Sequence, residues 1–216
     1  YYNGTHSRRK TTPQVFGGDT PPRRQGGISA VKPCVFTPEK TMFLLIDVQE
    51  KLFPAIANGE TLRGSLHRLA EAMKHLSIPT LLTEQYPKGL GDTLPTLKAI
   101  VTSATSHRTF EKTSFSCCGE EGFLELLDSM NRPQSVLCGI ETHICVLSTT
   151  MELLERGFDV AVTADATGSR NPEHHQLALD AMRQCGALVV PVETIVYQLV
   201  GKSGTDLFKR ILPLFK

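Results

Sequence analysis

The sequence predicts an α/β protein: a mainly parallel six-stranded sheet with helices on both faces, three layers in all. Three observations carry this. Short runs such as "MFLLI" are apolar throughout rather than alternating, as in strands buried on both faces. Helical periodicity separates one run from the next. At 216 residues and 40% hydrophobic, the chain can bury one core but hardly a second full domain.

In chain order, Met42–Ile46 reads as the first strand. Leu62, Leu66, Leu69, Met73 and Leu76 then recur at helical spacing. Pro79–Leu82 is a second strand, and "EQYPKGLGDTLP" (84–95), with two prolines and two glycines, is a turn-rich loop. Its "GLGDT" lacks the spacing of a phosphate loop and reads as a turn. A weaker strand lies at Arg108–Glu111, and Glu120–Met130 is a helix with Phe123, Leu124, Leu126 and Leu127 on its apolar side. Strand 135–139, helix 143–156 and strand 158–163 follow. Asn171, Pro172 and Gly186 have the N-cap, first-turn and C-terminal order that brackets a helix. Ala187–Val190 is the sixth strand, ahead of two short helices.

Composition bounds the partners. A net charge of +1 gives no global field for nucleic acid or anionic membrane, and no apolar run reaches the length of a bilayer span. Nucleic acid and membrane are therefore not expected partners. The six cysteines (34, 117, 118, 138, 145, 185) show no C-x-x-C spacing, and Cys138 lies inside an apolar strand, which suits a reduced, intracellular protein, cytoplasmic or mitochondrial. Residues 1–33 carry Arg8, Arg9, Lys10, Arg23, Arg24 and Lys32 against the single acid Asp19. They read as a flexible basic extension, with an organelle transit segment as the alternative; the main domain is expected over 34–216. Asn3-Gly4-Thr5 matches a glycosylation sequon with nothing else pointing to secretion.

Three reactive side chains fall just past strand carboxyl ends: Asp47, Lys112 and Cys145. In a doubly wound sheet these positions share the edge where ligands bind. With Thr142 as N-cap, Cys145 occupies the first turn of a helix, where free N–H groups and the helix dipole favour a thiolate. An ammonium at Lys112 would lower the thiol pKa further, Asp47 could shuttle its proton, and backbone N–H groups near Cys145 could hold an oxyanion. Each residue also has a plain structural reading: a buried cysteine, a turn-capping aspartate, a solvated lysine.

At these positions the motifs resemble a known family. "FLLIDVQEKLFPAI" (43–56), "TEQYPKGLG" (83–91), "KTSFS" (112–116) and "GIETHICV" (139–146) are similar to the isochorismatase-like cysteine hydrolases, nearest to the eukaryotic isochorismatase-domain proteins. The resemblance covers about residues 40–210. It implies a Rossmann-like sheet, an Asp47-Lys112-Cys145 triad and a cis peptide at Ile140–Glu141. It also implies an oxyanion hole from the backbone N–H groups of Glu141 and Cys145. Gln49, Gln85 and Ile140 become candidates for lining the substrate pocket. Nicotinamidase members carry a metal site between the second strand and the lysine motif; here His107 is the one histidine of that segment, so no metal and no cofactor are expected.

The expected function is a metal-independent cysteine hydrolase acting on a small amide, ester or related acyl-like molecule. The alternative is a non-catalytic binding or scaffolding protein, or a thiol redox sensor, associated with nucleic acid through its basic start. A homo-oligomer, a dimer or higher even number, is expected from the family. The C-terminal stripe Leu207, Phe208, Ile211, Leu212 and Phe215 offers either a contact surface for it or ordinary cover for the chain's own sheet.

Overall fold

In a computed structural model, the structure describes residues 34–216. The basic extension and its transit-peptide and sequon readings lie outside the described residues. Six strands form one sheet: β1 (Thr41–Ile46), β2 (Thr80–Gln85), β3 (His107–Lys112), β4 (Gln134–Ile140), β5 (Asp159–Gly168) and β6 (Leu188–Val190). Their order is β3-β2-β1-β4-β5-β6, and every neighbouring pair is parallel. The α/β reading holds, in three layers. β1 and β4 are buried along their whole length, which is why both read as unbroken apolar runs.

Eight helices complete the described layers: α1 (Gly59–His75), α2 (Pro87–Leu90), α3 (Pro95–Thr102), α4 (Phe123–Met130), α5 (Leu147–Glu155), α6 (Pro172–Gln184), α7 (Val192–Val200) and α8 (Asp206–Ile211). Leu66, Leu69 and Met73 of α1 pack with Phe43 and Leu45 on one face of the sheet. Phe123, Leu153 and Met182 of α4, α5 and α6 pack with Met42 and Leu44 on the other. β1 alternates its side chains between the two cores, as the pleat requires. Asn171 caps α6 as expected, its side chain accepting from the Glu173 N–H at 2.8 Å.

Several boundaries differ from the sequence reading. The loop at 84–95 contains α2, one turn long, and α3 was not expected at all. Pro95 sits in its first turn and Leu97 and Val101 alone are buried, too few apolar positions to register as a stripe. β5 runs on to Gly168 through the polar "TADATG" because its register against β4 shifts between Leu137 and Gly139, letting extra residues bulge out. The C-terminal stripe belongs to the chain's own core: Ile211 is fully buried, and Leu207 and Phe215 pack against the same cluster. Its use as an oligomer surface is therefore withdrawn.

The chain reverses direction across the sheet between β1 and β4. β2 and β3 are laid on one side of β1, then β4 on the other. In doubly wound sheets such a switch point is where the ligand crevice forms, here at the carboxyl ends of β1 and β4.

Candidate active site

Asp47 leaves β1 with φ 54°, a left-handed conformation that aspartate tolerates better than most residues. Its N–H donates to Thr83 O at 3.2 Å, and the Thr83 hydroxyl donates to Asp47 Oδ1 at 2.7 Å. Thr83 was not singled out in the sequence; a threonine inside an apolar strand was its whole signal. Lys112 is the last residue of edge strand β3, rather than one past it, and reaches across β2 to Asp47. Its Nζ lies 2.7 Å from Asp47 Oδ2, with both side chains fully buried. At that distance the ammonium sits directly on Oδ2 as a close ion pair.

Lys112 Nζ also donates to Gln85 Oε1 at 2.5 Å, Ser114 O at 3.1 Å and Phe115 O at 3.3 Å. Three ammonium protons thus face four oxygens. Burial opposes the charge on Lys112, but the field of Asp47, with the Cys117 and Cys145 thiols behind it, raises its pKa above the ordinary value. The plain alternative of a solvated lysine does not hold, because the side chain is buried against Asp47.

Cys145 meets the same carboxylate from the β4 side, and its thiol interacts electrostatically with both Asp47 and Lys112. The expected trio therefore converges. The local geometry differs from the expectation, however. Thr142–Val146 is a π-helical turn ahead of α5, a wider local winding than the first turn of an α-helix. Thr142 caps nothing: its hydroxyl lies 2.9 Å from His175 Nδ1. The expected acidic thiol is also overturned. Burial and then the Asp47 charge push the Cys145 thiol up to about 12, against the pull of Lys112. The physical reason is that the ammonium is already committed to Asp47, while the thiol is only 7% exposed.

The remaining expectations divide. The Ile140–Glu141 peptide is cis. The Glu141 carboxylate, 9% exposed, accepts from Arg170 Nε at 3.0 Å and Arg170 N at 2.9 Å, while Glu141 O accepts from Ile144 N and Val146 N. Ile140 is fully buried within the core. Gln49 is turned to the chain's own backbone. It is fully buried, and its amide is spent on Gln85 N (2.8 Å), Gln85 O (3.0 Å) and Gly91 O (2.6 Å). Gln85 faces Lys112. Arg170 was missed because an arginine in the polar loop "SRNPEHH" looks like any solvated residue until β5 brings it to Glu141.

Five thiols, those of Cys117, Cys118, Cys138, Cys145 and Cys185, are free. Among the described residues, no group of three or more His, Cys, Asp or Glu is arranged to hold a metal ion, and no helix is long and apolar enough to cross a membrane.

The buried thiols and Lys112 set an alkaline limit. Cys145 and Cys117 both stand near 12 in the fold against 9.0 ordinarily, and Lys112 is raised as well. Above pH 9 the folded chain thus binds more protons than the unfolded one, so stability falls as pH rises. Below pH 9 the thiols are neutral in both states and contribute nothing to this slope, and Lys112 is charged in both. The urea midpoint is expected to hold between pH 7 and 8.5 and drop steadily from 9 to 11. A flat profile to pH 11 would mean that these thiols ionise freely in the fold.

Comparison with known proteins agrees with the geometry. The isochorismatase domain profile matches residues 41–194. The chain is 41% identical over 175 residues to isochorismatase domain-containing protein 2 of Danio rerio, covering 81% of this chain and 86% of that one. The solved MAR1 ribonuclease of Caenorhabditis elegans is 38% identical, with a TM-score of 0.79 over 84% of this chain and 92% of that one. YcaC of Escherichia coli, described as an octameric hydrolase of unknown specificity, is 26% identical with a TM-score of 0.76, over 84% and 93% of the two chains. The chain belongs to the isochorismatase family of hydrolases.

Proposed function

We propose that this protein is a metal-independent cysteine hydrolase of small amides, esters or related acyl-like molecules, with Cys145 as nucleophile. One observation carries the reading: a single buried carboxylate, Asp47, takes the Lys112 ammonium at 2.7 Å on Oδ2 and faces the Cys145 thiol. Because burial holds that thiol protonated, it needs a base at the moment of attack, and the Asp47 carboxylate already faces it. The Cys145 sulfur forms a bond to the acyl carbon as its proton passes to Asp47. The Asp47 proton then goes to the leaving group as the carbon–heteroatom bond breaks. Water, losing a proton to Asp47, hydrolyses the thioester and returns the thiol. Lys112 holds Asp47 in place through its ion pair, and the backbone N–H groups of Glu141 and Cys145 receive the developing oxyanion.

A second reading, cleavage of RNA, is raised by the ribonuclease name of the C. elegans relative. The test is a screen of small amides, ureides, esters and RNA, comparing wild type with Cys145→Ala. Turnover of a small acyl compound, lost to the uncatalysed background in the variant, supports the proposal. RNA cleavage that survives in Cys145→Ala contradicts it.

By the example of octameric YcaC, we also place this chain in an even-numbered homo-oligomer. Light scattering at micromolar concentration should exceed the 23.7 kDa of one chain; a mass at that value removes the claim.

A further inference from the structure

We propose that Gln85 is the positioning residue for Lys112, an inference that rests on the Asp47-Lys112-Cys145 reading above. Lys112 leaves the exposed edge of the sheet on a flexible four-carbon stem, and nothing covalent aims its ammonium at Asp47. Gln85, its register partner on β2, does so. Oε1 accepts from Lys112 Nζ at 2.5 Å, while Nε2 donates to Thr113 O at 2.7 Å, which fixes which end of the amide faces the cation.

Gln85 is itself held from behind. Gln49, fully buried, accepts from Gln85 N with Oε1 and donates from Nε2 to Gln85 O and to Gly91 O. The chain beyond is tied down by Tyr86 N to Lys112 O at 2.8 Å, by Lys51 Nζ to Gly89 O at 2.9 Å and by Glu50 N to Asp92 O at 2.9 Å. One line of contacts thus runs from the 86–92 segment through Gln49 and Gln85 to Lys112 and Asp47. Neutrality matters as much as reach. A carboxylate at position 85 would compete with Asp47 for the ammonium, whereas an amide orients it and leaves its charge for Asp47.

The test uses acrylamide addition at each cysteine of the full chain, followed by peptide mass spectrometry from pH 6 to 9, with exposed Cys185 as internal reference. Gln85→Leu removes the acceptor, and Gln85→Glu keeps the shape while adding charge. Gln85→Leu is expected to slow Cys145 about tenfold relative to Cys185, the size of effect that follows loss of a hydrogen bond to a charged group. Gln85→Glu, which preserves packing if the leucine variant folds poorly, is expected to move the Cys145 profile toward alkaline pH. A purely structural Gln85 would lower the unfolding midpoint of both variants and leave the Cys145 to Cys185 ratio within twofold of wild type at every pH. That result overturns this proposal alone. A wild-type Cys145 that never reacts overturns the reading of the site with it.

Discussion

Lys112→Met is expected to destabilise the protein by about 3–5 kcal/mol, as breaking a buried ion pair from one side does. The thioether fills the lysine's space but leaves Asp47 fully buried without its cation, facing the Thr83 hydroxyl on Oδ1 and the neutral Cys145 thiol. Three backbone and side-chain oxygens that faced the ammonium, those of Gln85, Ser114 and Phe115, lose their donor as well. The double variant Asp47→Asn/Lys112→Met should recover most of the loss, because neither charge is then buried alone. Urea denaturation of wild type and the two variants at pH 7 measures both effects. A single variant within about 1 kcal/mol of wild type would place Lys112 among weakly coupled surface lysines.

Gly139→Ala is expected to cost at least about 4 kcal/mol, the range reserved for a forced backbone shift or a badly strained conformation. Gly139 has φ +121°, and a Cβ there would stand 2.0 Å from Ile46 O, a backbone atom that cannot swing aside. The collision lies where β1 and β4 are paired, Ile46 opposite Gly139, one residue before Asp47 and six before Cys145. To relieve it the two strands must part at the crevice, so the variant should fail twice: a large fall in unfolding midpoint and loss of Cys145 reactivity in whatever folds. Soluble protein with a wild-type midpoint would mean that β4 is free to move, and the crevice with it.

The sheet was legible because its strands are buried on both faces. "MFLLI" and "SVLCG" can hardly be anything else between helical stretches, and the ends of such strands mark where reactive side chains gather. Asp47, Lys112 and Cys145 were found that way. The contacts around them were not. Thr83, Gln85 and Arg170 reach Asp47, Lys112 and Glu141, which lie 36, 27 and 29 residues away in the chain, and no local pattern announces such a contact. Burial was the other hidden quantity. Lys112 and Gln49 are residue types that ordinarily meet water, so the sequence left a solvated cation open as the plain alternative and offered Gln49 as a pocket-lining amide. Full burial made one an ion-pair partner and the other a clamp. The same burial reverses the thiol: helix position alone argued for a low pKa, and desolvation at Cys145 outweighs it.

The central claim is that Asp47 is the base that ionises Cys145, and Asp47→Asn tests it because charge and proton transfer pull in opposite directions. As a mere charge, Asp47 raises the thiol pKa, so its removal beside the Lys112 ammonium would yield more thiolate and a faster Cys145. As a base, its removal leaves a protonated, buried thiol with nowhere to send its proton. The measurement is the rate of acrylamide addition to Cys145 at pH 7.5 in folded wild type and Asp47→Asn, with Cys185 as reference. The account predicts a fall of at least about a hundredfold at Cys145, the lower range for removing a general base, with Cys185 unchanged. A Cys145 that reacts as fast as wild type, or faster, would contradict it.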